Sequence, residues 1–123
     1  MTPSSDPEIE QTIAGLTRAV EEFAAERDWG QFHDPKNLAM ALASEVGELT
    51  SILRWIRGEE SDAFVGAVGN RDELKDEIGD VGICLLLLCA RTDIHLGSAV
   101  LDKLRKNAVK YPLLASRARA DPP

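Results

Sequence analysis

Two four-residue segments carry the chemistry that this sequence offers, Glu45-Val46-Gly47-Glu48 and Glu77-Ile78-Gly79-Asp80. Each places two carboxylates three residues apart, a spacing that projects both from one face of a helix. Two such helices packed together converge four carboxylates on one small volume. Four anions that close repel strongly, and some must take up protons unless a cation neutralises them. Oxygen-only ligands select hard ions, so Mg²⁺ is the expected cofactor and Mn²⁺ its substitute, ahead of zinc or copper. An isolated Glu-x-x-Glu is ordinarily a solvated helix face, but here both pairs touch apolar stripes on separate helices. A di-iron bundle wants Glu-x-x-His, and neither His33 nor His95 stands in that register. Gly47 and Gly79 sit inside the pairs, where glycine costs a helix roughly 1 kcal/mol relative to alanine. Two explanations stand for them: close approach of the helix backbones beside the metal, or an ordinary packing contact.

The elements that must position these acids read as four helices, with no strand-like alternation to compete. Ile9, Ile13, Leu16, Val20 and Phe23 recur at helical spacing, and this first helix should end near Arg27. Pro35 suits the first turn of a second helix, with Asp34 as N-cap and Gly58 as its C-terminal stop. Its stripe is Leu38, Leu42, Glu45, Leu49, Ile52 and Ile56, with an acid in the middle that packing does not explain. Residues Glu59 to Asn70, with Gly66, Gly69 and several acids, read as a loop. A third helix is expected from about Asp72 to Thr92, where Glu77 again occupies a stripe position beside Val81, Cys84 and Leu88. A fourth follows Gly97, capped by Ser98, with Leu101, Leu104 and Ala108 facing inward and Pro112 stopping it. The ends, 1–7 and 115–123, read as mobile tails around a helical core of about 8–112.

Composition narrows the class. The chain has 123 residues, 44% of them hydrophobic, which suits one compact domain. Its net charge of -7 argues against a nucleic-acid partner, because phosphate backbones reward basic patches. A nucleotide ligand stays open, since metal ions bridge carboxylates to phosphates. The longest apolar run, Val81 to Ala90, is about half of what spans a bilayer, so no membrane partner is expected. Cys84 and Cys89 have no metal-type spacing and read as reduced, buried thiols of a cytoplasmic protein.

Taken together these residues resemble a known family, the MazG-like, all-alpha nucleoside triphosphate pyrophosphohydrolases, and within it the dCTP pyrophosphatase branch. The resemblance runs from Phe23 to Pro112. It is carried by Arg27-Asp28-Trp29 with Gln31-Phe32-His33, Pro35-Lys36-Asn37-Leu38, the two acid pairs, Trp55, and Lys103, Asn107 and Lys110-Tyr111-Pro112. The family pattern opens on adjacent glutamates, and Ser44 stands in place of the first, as in the dCTP pyrophosphatase branch. What the resemblance implies is Mg²⁺-dependent hydrolysis of a nucleoside triphosphate, dCTP or a modified dCTP, to the monophosphate and pyrophosphate. It implies Glu45, Glu48, Glu77 and Asp80 as catalytic residues and metal ligands, with one of the glutamates as general base. It also implies a homo-oligomer, a tetramer favoured over a dimer, that pools helices from several subunits around each site. Lys103, Asn107 and Lys110 line one face of the last helix, which suits phosphate contacts or else plain solvent. Trp55 lies two turns beyond Glu48, about 10 Å along the axis, and is a stacking candidate for the base. Trp29, Phe32 and His33 are further candidates, and Tyr111 fits either phosphate or core. Rival expectations are a same-fold enzyme for dUTP or phosphoribosyl-ATP, a catalytically weak nucleotide-binding regulatory module, and a purely structural helical oligomer.

Overall fold

The computed structural model describes residues 8–117. Six α-helices follow one another: α1 (Ile13–Glu26), α2 (Pro35–Leu53), α3 (Gly58–Gly66), α4 (Val68–Thr92), α5 (Leu96–Lys110) and the four-residue α6 (Leu113–Ser116). A short 3₁₀ turn, Trp29–Phe32, joins α1 to α2, and no strand occurs among the described residues. The all-α expectation is met, with six helices where four were expected.

Local chemistry explains the boundaries. Thr12 caps α1, its hydroxyl accepting from the Gly15 amide at 3.0 Å. Asp34 caps α2 through the Asn37 amide at 2.8 Å, and Pro35 occupies the first position, where a missing N–H costs nothing. Gly58, expected as a stop, instead opens α3, because α2 already ends at Leu53. The expected 59–70 loop is helix on both sides of one extended residue, Ala67 (φ -69°, ψ 136°). Glu59 and Glu60 lie in the first turn of α3, where the helix dipole favours acids, and Asn70 Nδ2 ties the break together by donating to the Phe64 carbonyl at 3.0 Å. The glycines that suggested a loop are tolerated because that dipole and that bond compensate. α4 therefore starts four residues earlier than expected and runs 25 residues, roughly 37 Å at 1.5 Å per residue.

α4 ends in a six-to-one and five-to-two pair of bonds, Ile94 N–H to the Cys89 carbonyl and Asp93 N–H to the Ala90 carbonyl. Asp93 occupies the left-handed position (φ 55°) that glycine usually takes there. The chain then bends by 95° into α5. The cap of α5 is His95, whose Nδ1 accepts from the Ser98 amide at 3.1 Å, and not Ser98 itself.

α2 and α4 pack together most extensively, α1 lies on α4, and α3 folds back on α4. α5 touches the other helices only sparsely. Among the described residues the buried apolar side chains are Ala24 and Leu38 alone, exposed by 6% and 3%. Leu101 and Leu104, expected to face inward, are 48% and 59% exposed, because α5 leaves the bundle instead of closing it. Cys84 and Cys89 are free and only half-buried. No single helix among the described residues is long and apolar enough to cross a bilayer. The expected tails fall at 1–7 and 118–123 outside the described residues, while Ala115 and Ser116 belong to α6.

Candidate active site

Because α2 and α4 are the most closely packed pair, the two acid pairs that they carry face one another. Glu45, Glu48 and Glu77 each bring a carboxylate oxygen within 4.8 Å of the other two. Glu48 is exposed, whereas Glu45 and Glu77 are half-buried with one oxygen each, Oε2, sheltered from solvent and without a hydrogen-bond partner. Asp80 joins from one turn along α4; it lines the same cavity, and its charge acts on Glu45 and Glu77.

The electrostatic consequence is direct. Burial, then the Glu48 charge, then the adjoining Glu45 carboxylate push Glu77 up to about 7. Glu45 is also raised, by burial first and then by Asp80 and Glu48. Glu77 therefore holds a proton to a much higher pH than an ordinary glutamate when no cation is present. Sheltered carboxylate oxygens without a donor are costly as they stand. A divalent ion would satisfy them and remove the repulsion together, so the residues fit such an ion, which Glu45, Glu48 and Glu77 would hold with Asp80 adjoining.

Glu45 and Asp80 open on a cavity of about 1120 Å³ with a mainly apolar wall. Leu16, Val20 and Phe23 of α1, Ile83 and Leu87 of α4, and Trp29 and Phe32 of the 3₁₀ turn line it, while Glu45 and Asp80 reach it from their helices. Trp29 stands edge-on to Phe23 and His33, with ring centroids 5.7 and 6.4 Å away. Arg27 lies over the Phe23 ring, 3.5 Å from its centroid. An apolar chamber beside a candidate cation site can take an aromatic ring in one part and an anionic chain in the other.

Trp29, Phe32 and His33 are thus brought to the acids, as the sequence suggested. Trp55 is not. α2 ends at Leu53, so the helical extrapolation from Glu48 fails, and Trp55 is 82% exposed beside Arg54, whose guanidinium lies 5.1 Å from the ring. Lys103, Asn107, Lys110 and Tyr111 do not line the cavity either, since α5 bends away from it. Gly47 and Gly79 have open space where a Cβ would stand, so neither close backbone approach nor a tight contact accounts for them in this chain. Cys84 and Asn37 also line the cavity and are not marked as site residues by the sequence. Cys84 is one turn from Asp80 on the same face, and that spacing could have marked it. Burial, Glu45 and Asp80 hold its thiol above the usual range. Asn37 follows the cap Asp34 and lines the cavity near Phe32.

No family model matches the chain. It is 42% identical over 111 residues, 90% of its length, to dCTP pyrophosphatase 1 of Bos taurus, and 41% identical over 109 residues to that of Homo sapiens. It spans 66% and 64% of those two relatives. A solved structure of a pyrophosphatase from Archaeoglobus fulgidus aligns with a TM-score of 0.77 at 36% identity, over 84% of this chain and 94% of that one. Sequence and fold point the same way, and the chain belongs to the MazG-like, all-alpha nucleoside triphosphate pyrophosphohydrolases, on their dCTP pyrophosphatase branch.

Proposed function

We propose that this protein hydrolyses a nucleoside triphosphate, dCTP or a modified dCTP, to the monophosphate and pyrophosphate in the presence of Mg²⁺, removing it from the cytoplasmic nucleotide pool. The observation that carries this reading is a trio of glutamates with two unsatisfied, sheltered oxygens, one of whose members, Glu45, lines with Asp80 an apolar cavity walled by Trp29 and Phe32. The relatives named dCTP pyrophosphatase support the choice of base.

Mg²⁺, when bound, supplies neutralisation of the phosphate charge and acidifies water. Glu45, Glu48 and Glu77 hold it, and Asp80 completes the anionic rim. The apolar wall takes the base, with Trp29 presenting an aromatic surface, and excludes water from that end of the substrate. As a water oxygen adds to phosphorus, the P–O bond bridging the α and β phosphates breaks; one of the glutamates accepts the water proton, and pyrophosphate leaves with the bonding pair.

We also assign the working unit to a homo-oligomer, a tetramer in preference to a dimer, in which each chain acts as one domain. Large apolar side chains on open helix faces support this, among them Ile78 at 55%, Leu104 at 59% and Val109 at 81% exposure. In such an assembly the phosphate-binding role of Lys103, Asn107, Lys110 and Tyr111, and the stacking role of Trp55, fall to a neighbouring copy's site. Product analysis with the common deoxy- and ribonucleoside triphosphates and Mg²⁺ tests the reaction. A cytosine nucleotide should give its monophosphate and pyrophosphate with wild type and neither with Glu48→Gln. Turnover of no nucleotide would overturn the proposal.

A further inference from the structure

The wall that would receive the base stands on a short and otherwise weakly held turn. Trp29 and Phe32 are 43% and 60% exposed, so packing alone does not fix them. The turn is entered through Asp28 in the left-handed region (φ 53°), with Gln31 Nε2 donating back to the Asp28 carbonyl at 3.0 Å. Two further bonds anchor it, and each comes from one of the acid-bearing helices. Asn37 of α2 donates through Nδ2 to the Phe32 carbonyl at 3.0 Å. Arg91 of α4 donates through Nη1 to the Gly30 carbonyl at 3.2 Å, across 61 residues of sequence. The Arg91 bond is the informative one, since the others close within a few residues.

Arg91 lies eleven residues after Asp80, three turns or roughly 16 Å along the same helix. It is thus too far along α4 to join the carboxylates, and it reaches the back of the turn, at the Gly30 carbonyl. We propose that Arg91 is a positioning residue: its bond to the Gly30 carbonyl sets the aromatic wall at a fixed height above the acids of its own helix, so that base and phosphates engage together. This rests on the nucleotide reading above. The competing role is that of a cation in the last turn of α4, which helps the helix end and nothing more.

The two roles separate with two substrates that differ only at the base, dCTP and the abasic deoxyribose 5′-triphosphate, each assayed with saturating Mg²⁺. Loss of one charge-assisted bond in Arg91→Ala should raise KM for dCTP roughly three- to tenfold and leave kcat within about twofold. kcat/KM for the abasic compound should not change. Arg91→Lys keeps a cationic donor and should recover much of the KM. Parallel losses on both substrates, or no change on either in an active enzyme, would overturn the role of Arg91. A wild type that hydrolyses neither compound, or does not prefer dCTP, would overturn the nucleotide reading, and this proposal with it.

Discussion

Lowering the pH from 8 to 6 should weaken divalent-metal binding roughly tenfold, and the acid trio sets that figure. Glu77 titrates near 7, so about nine-tenths of the protein carries it ionised at pH 8 and about one-tenth at pH 6. The ion needs the ionised form, and binding at pH 6 must therefore displace close to one proton. Glu45, raised in the same direction, adds to the fall at the acid end. The stability of the metal-free protein runs the opposite way. An acid raised above its ordinary 4.5 leaves the folded state most favoured below that value. That advantage is lost as the pH rises through about 7. Mg²⁺ should accordingly raise the melting temperature strongly at pH 8 and weakly at pH 6. Calorimetric titration with Mg²⁺ or Mn²⁺ at pH 6, 7 and 8, in buffers of different ionisation enthalpy, reads affinity and proton release together. Glu77→Gln should flatten the pH dependence, weaken binding at every pH and raise the melting temperature of the metal-free protein at pH 8. Equal affinity at the three pH values with no proton released at pH 6 would refute the placement of the ion between Glu45 and Glu77.

Three other outcomes follow from the same structure. Glu48→Gln, at an exposed proposed ligand, should lower kcat at least about a hundredfold while shifting the melting temperature little, as steady-state kinetics and thermal denaturation would show. Leu104→Asp puts a charge on the exposed apolar face of α5, and sedimentation velocity should then find smaller species than for wild type. Asp93→Gly, at the left-handed end of α4, should stabilise the protein by about 0.5–1 kcal/mol in urea unfolding, because glycine adopts that conformation without the Cβ clash.

The acid pairs were legible in the sequence because both their spacing and their conflict with an apolar stripe are local properties. Glu45 interrupts a stripe that runs from Leu38 to Ile56, and only something other than packing accounts for it. The Asp34-Pro35 start of α2 was readable for the same reason: cap and first-turn chemistry are decided within four residues. α3 was not, since Gly66, Gly69 and Asn70 are loop-forming by composition, and the bond from Asn70 to Phe64 that ties two helices across Ala67 spans the break itself. The Arg91 bond lies further out of reach. Nothing near Arg91 in sequence names the Gly30 carbonyl as its acceptor.

Trp55 and α5 mark a different limit. Helical periodicity says which residues share a face, but not what covers that face. On α5, Lys103, Asn107 and Lys110 form one face, while Val100, Leu101 and Leu104 are apolar and 51%, 48% and 59% exposed. An apolar face of that kind on a folded helix is ordinarily buried, and after the 95° bend no other described part of the chain lies against it to any extent. The physical requirement to cover Leu101 and Leu104 is thus the same requirement that would carry the basic face toward a site. If a second copy covers the apolar side, the cations on the adjoining face are held in a fixed direction, and a neighbouring acid cluster is the place where their charge is most useful. Under the proposed assembly, assembly and catalysis share α5. The Leu104→Asp protein should then lose turnover with its quaternary structure while keeping its metal affinity, because Glu45, Glu48 and Glu77 all come from one chain.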